Sequence, residues 1–126
     1  MIFWYAPGMR KSRPDARGDM LQGTLDMLIL RTLLSGPAHG HTVAHVIEKS
    51  SDDILQVEHG SLYPALHRLE AQGLVAASWQ LSDRGKQAKY YRLTTRGKNH
   101  LHAARSRWET FARAIGLVLE PSGSDS

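Results

Sequence analysis

Residues 59–74, HGSLYPALHRLEAQGL, constrain the fold more than any other stretch of the chain. Leu62, Ala65, Leu66 and Leu69 fall at i, i+3, i+4 and i+7, the buried stripe of an amphipathic helix. The other face carries Tyr63, Pro64, His67, Arg68 and Gln72, and no acid stands between His59 and Glu70. A short helix with an aromatic, imidazole and guanidinium outer face suits a DNA groove. It also suits a surface helix packed on a small core, so this stretch alone leaves both readings open. Pro64 is expected in or near the first turn, where a missing N–H costs little; deeper in, its ring faces the carbonyl of Gly60.

The residues beyond Gly73 narrow the choice. Residues 74–81 alternate as a strand does, residues 82–87 (SDRGKQ) form a turn around Gly85, and residues 88–93 (AKYYRL) return with β-favouring tyrosines. The result is a β-hairpin with Arg84 and Lys86 at its tip and Lys89 on the return strand. Thr94 or Thr95 then caps a long helix to residue 119. In it Leu101, Ala104, Trp108, Phe111, Ile115 and Val118 repeat at 3 and 4, a seam for packing on another helix.

Upstream, residues 20–35 are helical, with Leu21, Leu25, Leu28 and Thr32 in register. Met27, Leu30, Leu33 and Leu34 make that helix apolar nearly all round, which hints at a partner subunit. Gly36-Pro37 ends it. A second helix covers residues 40–51, with Val43, Val46 and Ile47 facing inward. Residues 1–19 read as a flexible basic arm within reach of DNA phosphates, or as an upstream extension, since Met9 and Met20 are alternative starts. Residues 120–126 read as a disordered tail.

A chain of 126 residues makes one domain with a single core. It has no cysteine, hence no disulfide and no thiolate ligand or nucleophile, which fits a cytoplasmic protein. The net charge is +4, and from Arg84 to Arg107 there are eight Lys or Arg and no acid. Such a stretch is a nucleic-acid footprint, a membrane-surface patch or a solvated face. No apolar run is long enough to span a bilayer. The apolar start, MIFWYAPG, is too short for a signal segment. Paired carboxylates, a nucleophile elbow and a phosphate-binding glycine loop are all missing, so the chain is read as no enzyme and as needing no cofactor.

Three helices, a basic-tipped hairpin and a last helix make a mainly α (α+β) winged helix-turn-helix, residues 20–93, with a dimerisation helix, residues 94–119. Together these residues resemble a known family. VEHGSLYPALHRLEAQGLVAASW followed by GKQAKYYRLTTRGKNHL is similar to the PadR family of bacterial transcriptional regulators, and MLQGTLDMLILRTLLSGPAHGH is similar to its first helix and turn. The likeness runs over residues 20–119 and to the short members of the family.

The resemblance implies a homodimeric repressor that binds double-stranded DNA at a palindromic operator. It places Ser61, Tyr63, Pro64, His67 and Arg68 on the recognition helix and Arg84, Lys86 and Lys89 on the wing. It makes the first and last helices the dimer interface, here Leu25, Leu28, Leu101, Ala104, Trp108, Phe111 and Ile115. A small aromatic or drug-like effector is the further partner implied, with Trp108 as its aromatic wall. Two departures stand out: His39-Gly40-His41 where many members have Tyr-Gly-Tyr, and Glu58-His59 where many have Ser-Pro or Thr-Pro. His41 and His45, at i and i+4 with His39 close by, have metal-ligand spacing, but without cysteine no metal site is assigned. The alternative function is a winged-helix module that binds protein and not DNA.

Overall fold

The computed structural model describes the backbone of residues 13–120 and the side chains of residues 23–120. Along it run α1 (Arg13–Leu34), β1 (Ala38–His39), α2 (Gly40–Ser50), α3 (His59–Ala71), β2 (Val75–Leu81), β3 (Gln87–Leu93) and α4 (Thr95–Leu119). This is the mainly α winged helix-turn-helix with a long C-terminal helix. Residues 1–12 and 121–126, parts of the expected arm and tail, lie outside the described residues. α1 begins at Arg13, inside the stretch assigned to the arm. Pro14 then falls in the first turn, where proline is tolerated because that N–H has no partner in the helix.

β1 escapes the sequence reading because two residues carry no periodicity. It pairs antiparallel with β3, Ala38 opposite Tyr91 and His39 opposite Tyr90. β3 is therefore the middle strand of a three-stranded sheet ordered β1-β3-β2. The hairpin register runs from Val75 opposite Leu93 to Leu81 opposite Gln87.

The core gathers Ile29, Leu30 and Leu33 of α1, Val43, Ala44 and Ile47 of α2, and Leu62, Ala65, Leu66 and Leu69 of α3. Leu74, Val75, Tyr91 and Leu101 close it. α1 packs on α2, α3, α4 and β3, which is why its sequence is apolar over so much of its surface. The inward stripe of α2 differs from the expected one. It passes through Gly40, Val43, Ala44 and Ile47, at i, i+3, i+4 and i+7, and Val46 lies to its side, 37% exposed.

The start of α4 is pinned to the corner between α3 and β2. Thr94 caps the helix: its Oγ1 accepts the Gly97 N–H at 2.9 Å and donates to the Gly73 carbonyl at 2.8 Å. A Cβ at Gly97 would run into the carbonyl of Leu74. Gly97 and Leu101 are the buried residues of α4, so the remainder of the helix lies on the surface of the chain.

Candidate nucleic-acid interface

α3 is laid down by its apolar stripe. Leu62, Ala65, Leu66 and Leu69 are all within 1% of complete burial, so the intervening residues must face outward. Ser61, Tyr63, Pro64 and His67 are exposed. Glu58 is the N-cap through its carbonyl, which accepts from the N–H groups of Ser61 and Leu62 at 2.9 Å, while its carboxylate makes no cap bond. Pro64 lies in the second turn, and its ring faces the glycine at position 60. The link from α2 is held by Glu48, whose Oε2 accepts the Val57 N–H at 2.8 Å.

Tyr63 is placed by a residue that sequence reasoning missed. A Cβ on Gly40 would stand 2.7 Å from Tyr63 Cε1, so the glycine at the start of α2 is the slot for that ring. His59 meets the ring edge-on, 5.6 Å between centroids. Tyr63 stays 44% exposed.

Arg68 and Lys89, two of the expected contact residues, have partners within the chain. Arg68 Nη2 donates to Asp26 Oδ1 at 2.6 Å, with the two side chains 31% and 21% exposed. An acid of α1, Asp26, thus stands beside Arg68. Burial pushes the Asp26 carboxyl above its ordinary range, an effect that outweighs the hydrogen bond and charge of Arg68 and the weaker field of His100. Glu70 takes Lys89, at 3.2 Å. That hydrogen bond holds the Lys89 ammonium above its usual range against a smaller loss from burial. The Lys89 ammonium also lies 5.5 Å from the centre of the Tyr91 ring. Tyr91 itself is pushed up, chiefly by burial.

The wing tip is organised by Ser82. Its backbone N–H donates to the Lys86 carbonyl at 2.7 Å, and its Oγ accepts from the N–H groups of Arg84 and Lys86, both at 3.3 Å. Gly85 takes φ +76° to close the turn. Arg84 and Lys86 are left exposed. Trp79 and Leu81 on β2 are also exposed, 66% and 67%, which alternation alone did not foretell. Between the helix pair and the wing lies an open groove of about 730 Å³, lined by His39, His41, Tyr63, Trp79, Arg84, Lys89 and Tyr90 among others. The groove brings the exposed ring of α3 and a cation of the wing to one place.

Two histidines, His39 and His41, border this groove. His39 is the N-cap of α2, its Nδ1 accepting the Thr42 N–H at 3.4 Å. Its ring lies 6.3 Å from His41 and 5.4 Å from Tyr90, and His41 meets His59 edge-on at 6.1 Å. Among the described residues no three metal-ligating side chains converge.

The fold has known counterparts. Residues 29–103 match the model of the transcriptional regulator PadR-like family. The chain belongs to that family. It is 34% identical to the transcriptional regulator Rv3488 of Mycobacterium tuberculosis over 87 residues, 69% of this chain and 78% of the relative. It resembles the solved structure of a PadR family transcriptional regulator from Eggerthella lenta, with TM-score 0.70 and 31% identity over 93% of this chain and all of that one. A transcriptional regulator from Clostridium thermocellum superposes with TM-score 0.72 and 26% identity, covering 78% of this chain and 95% of the other. This PadR-like chain is accordingly a regulator of transcription and not an enzyme.

The residues expected at a dimer interface lie mostly on the last helix. Trp108, Phe111, Ile115 and Val118 lie along one stripe of α4 and are 48%, 52%, 43% and 76% exposed. Ala104 is partly covered. Leu101, expected with them at an interface, is only 3% exposed because the chain's own core uses it. Leu25 and Leu28 are partly buried against that core. Among the described residues no helix is long and apolar enough to cross a membrane.

Proposed function

We propose that this regulator binds double-stranded DNA as a homodimer and represses transcription from a palindromic operator. The observation that carries the reading is the groove shared by Tyr63 of α3 and Arg84 of the wing. With the outer face of α3 in the major groove, the wing lies along the neighbouring backbone. Ser61, Tyr63, Pro64 and His67 meet the duplex first. Arg68 reaches a base edge only by exchanging or sharing its bond to Asp26. Arg84 and Lys86 neutralise phosphate. Two copies joined through the α4 stripe put two recognition helices about one helical turn apart. The protein works on this reading at the nucleoid, in the cytoplasm.

Footprinting of the purified protein on its own upstream region tests the reading. Protection of an inverted repeat is the expected result. With about four phosphate contacts per subunit, log K against log salt has a slope near −7. A slope shallower than about −2 would sink the basic-footprint argument. Release by a small aromatic or drug-like effector is the regulatory half of the reading. The half-exposed ring of Trp108 on the α4 stripe is the stacking wall, and quenching of its fluorescence by phenolic compounds tests it. Trp108→Phe is the control, because Trp4 and Trp79 also emit.

The exposed Trp79 and Leu81 on the wing favour a second reading, a winged helix that docks on another protein. The absence of any mobility shift with duplex DNA at low salt would decide for it.

A further inference from the structure

We propose that His41 and His59 form a phosphate clamp beside the recognition helix, one whose grip on DNA strengthens as pH falls. The inference rests on the DNA-binding proposal and adds a site to it. Neither residue belongs to the recognition-helix and wing set that the family resemblance supplied. Both stand where the sequence departs from the family pattern.

The geometry is specific. His41 opens α2 and His59 opens α3, and their rings meet edge-on at 6.1 Å. Both are exposed. His59 in turn contacts Tyr63, the exposed ring of the recognition helix, at 5.6 Å. His41 and Tyr63 line the same groove as Arg84. A duplex that engages Tyr63 and the wing tip therefore carries its backbone past His41, and His59 contacts both His41 and Tyr63. His39 has a different part. Its Nδ1 accepts the Thr42 N–H at the start of α2. It is the cap of α2, and the pair that faces outward is His41 and His59.

The charges around the pair leave room for an anion. The first turns of α2 and α3 hold no acidic residue. Glu58 precedes His59, Asp83 faces the groove from the hairpin turn, and Arg84 and Lys89 face it from the wing. Tyr63 lies against His59, and the ring of His39 lies 6.3 Å from that of His41. Lys89 is shared with Glu70. Imidazole is the side chain whose ordinary titration falls between about pH 5 and pH 8. An imidazole that takes up a proton on meeting phosphate adds one counterion-releasing contact. Each such contact steepens log K against log salt by about 0.9.

The test uses the full chain and a fluorescein-labelled duplex of mixed sequence, because a phosphate contact does not depend on base sequence. Anisotropy titrations run from about 50 to 200 mM KCl, at about pH 6 and about pH 8. With one imidazole contact per subunit of a dimer, the slope at the lower pH should be steeper by about 2, and affinity correspondingly higher. In H41Q/H59Q the slopes at the two pH values should coincide. In H41K/H59K the steep slope should persist at both, a gain that misfolding cannot imitate. Binding with equal slopes in the wild type overturns the clamp alone, as does a double glutamine variant that keeps the difference. No binding at either pH overturns the DNA-binding reading and the clamp with it.

Discussion

Gly40 carries no side chain because Tyr63 already fills that space, and Gly97 carries none because α4 crosses the Leu74 carbonyl there. The obstacles differ in kind, and so should the cost of adding a methyl group. An aromatic ring can swing aside, whereas a carbonyl in the α3–β2 corner moves only with its backbone. Gly40→Ala should destabilise by about 1–3 kcal/mol, and Gly97→Ala by as much or more, in urea unfolding at matched protein concentration. Gly40→Ala should also weaken DNA binding beyond its loss of stability, since it displaces the ring that α3 presents. Asp26 supplies a pH prediction. Its carboxyl titrates above the ordinary value in the folded chain, so the fold takes up that proton at higher pH than the unfolded chain does. The resulting stabilisation is complete below the ordinary carboxylate range and is lost as pH rises through the raised value. Asp26→Asn cannot show it. Between about pH 7 and pH 4 the urea midpoint of the wild type should gain on that of the variant as pH falls, and a constant gap would refute the assignment.

At the scale of elements, the proposed DNA contacts divide unevenly between the wing and α3. Arg84 and Lys86 sit exposed on a turn held by Ser82, while Lys89 is tied to Glu70 and lies beside Tyr91. Arg84→Ala or Lys86→Ala should therefore weaken binding to all sequences alike and flatten the salt slope by about 2 in a dimer. Lys89→Ala should flatten it less. Titrations of the three variants across the same salt range would reveal an equal or reversed ranking. Sequence spacing made this architecture legible wherever a periodicity was long enough. The stripe from Leu62 to Leu69 and the hairpin follow from pattern, as does a threonine cap, left open between Thr94 and Thr95 until the structure selects Thr94. What it could not reveal were pairings between elements far apart in the chain. Nothing local to Arg68 points to Asp26, and nothing local to Gly40 points to Tyr63. β1 is two residues long, and its role depends wholly on its partner strand. The groove histidines drew notice as metal-ligand spacing along one helix, but the tertiary fold pairs His41 with His59 from the next helix instead.

At the scale of the whole molecule, the proposed dimer depends on α4. Trp108, Phe111 and Ile115 leave about half of each side chain in water, on a helix whose base is locked to the body by Gly97 and Leu101. A rigid helix with an uncovered apolar stripe gains most from a second copy of itself, because heptad spacing is self-complementary. Phe111→Asp or Ile115→Asp should place a charge in that contact and convert a dimer to monomers in sedimentation velocity. Arg105→Ala, which removes an exposed i,i+4 pair with Glu109, should leave the dimer intact. The monomeric variants keep α3 and the wing, so each should still bind a half-site. Losing the joined second half-site should cost affinity for a palindrome by about a hundredfold or more. A monomer that binds the palindrome as tightly as the wild type would show that α4 does not set the spacing of the two recognition helices. Sequence discrimination would then have to reside in a single α3 and its wing.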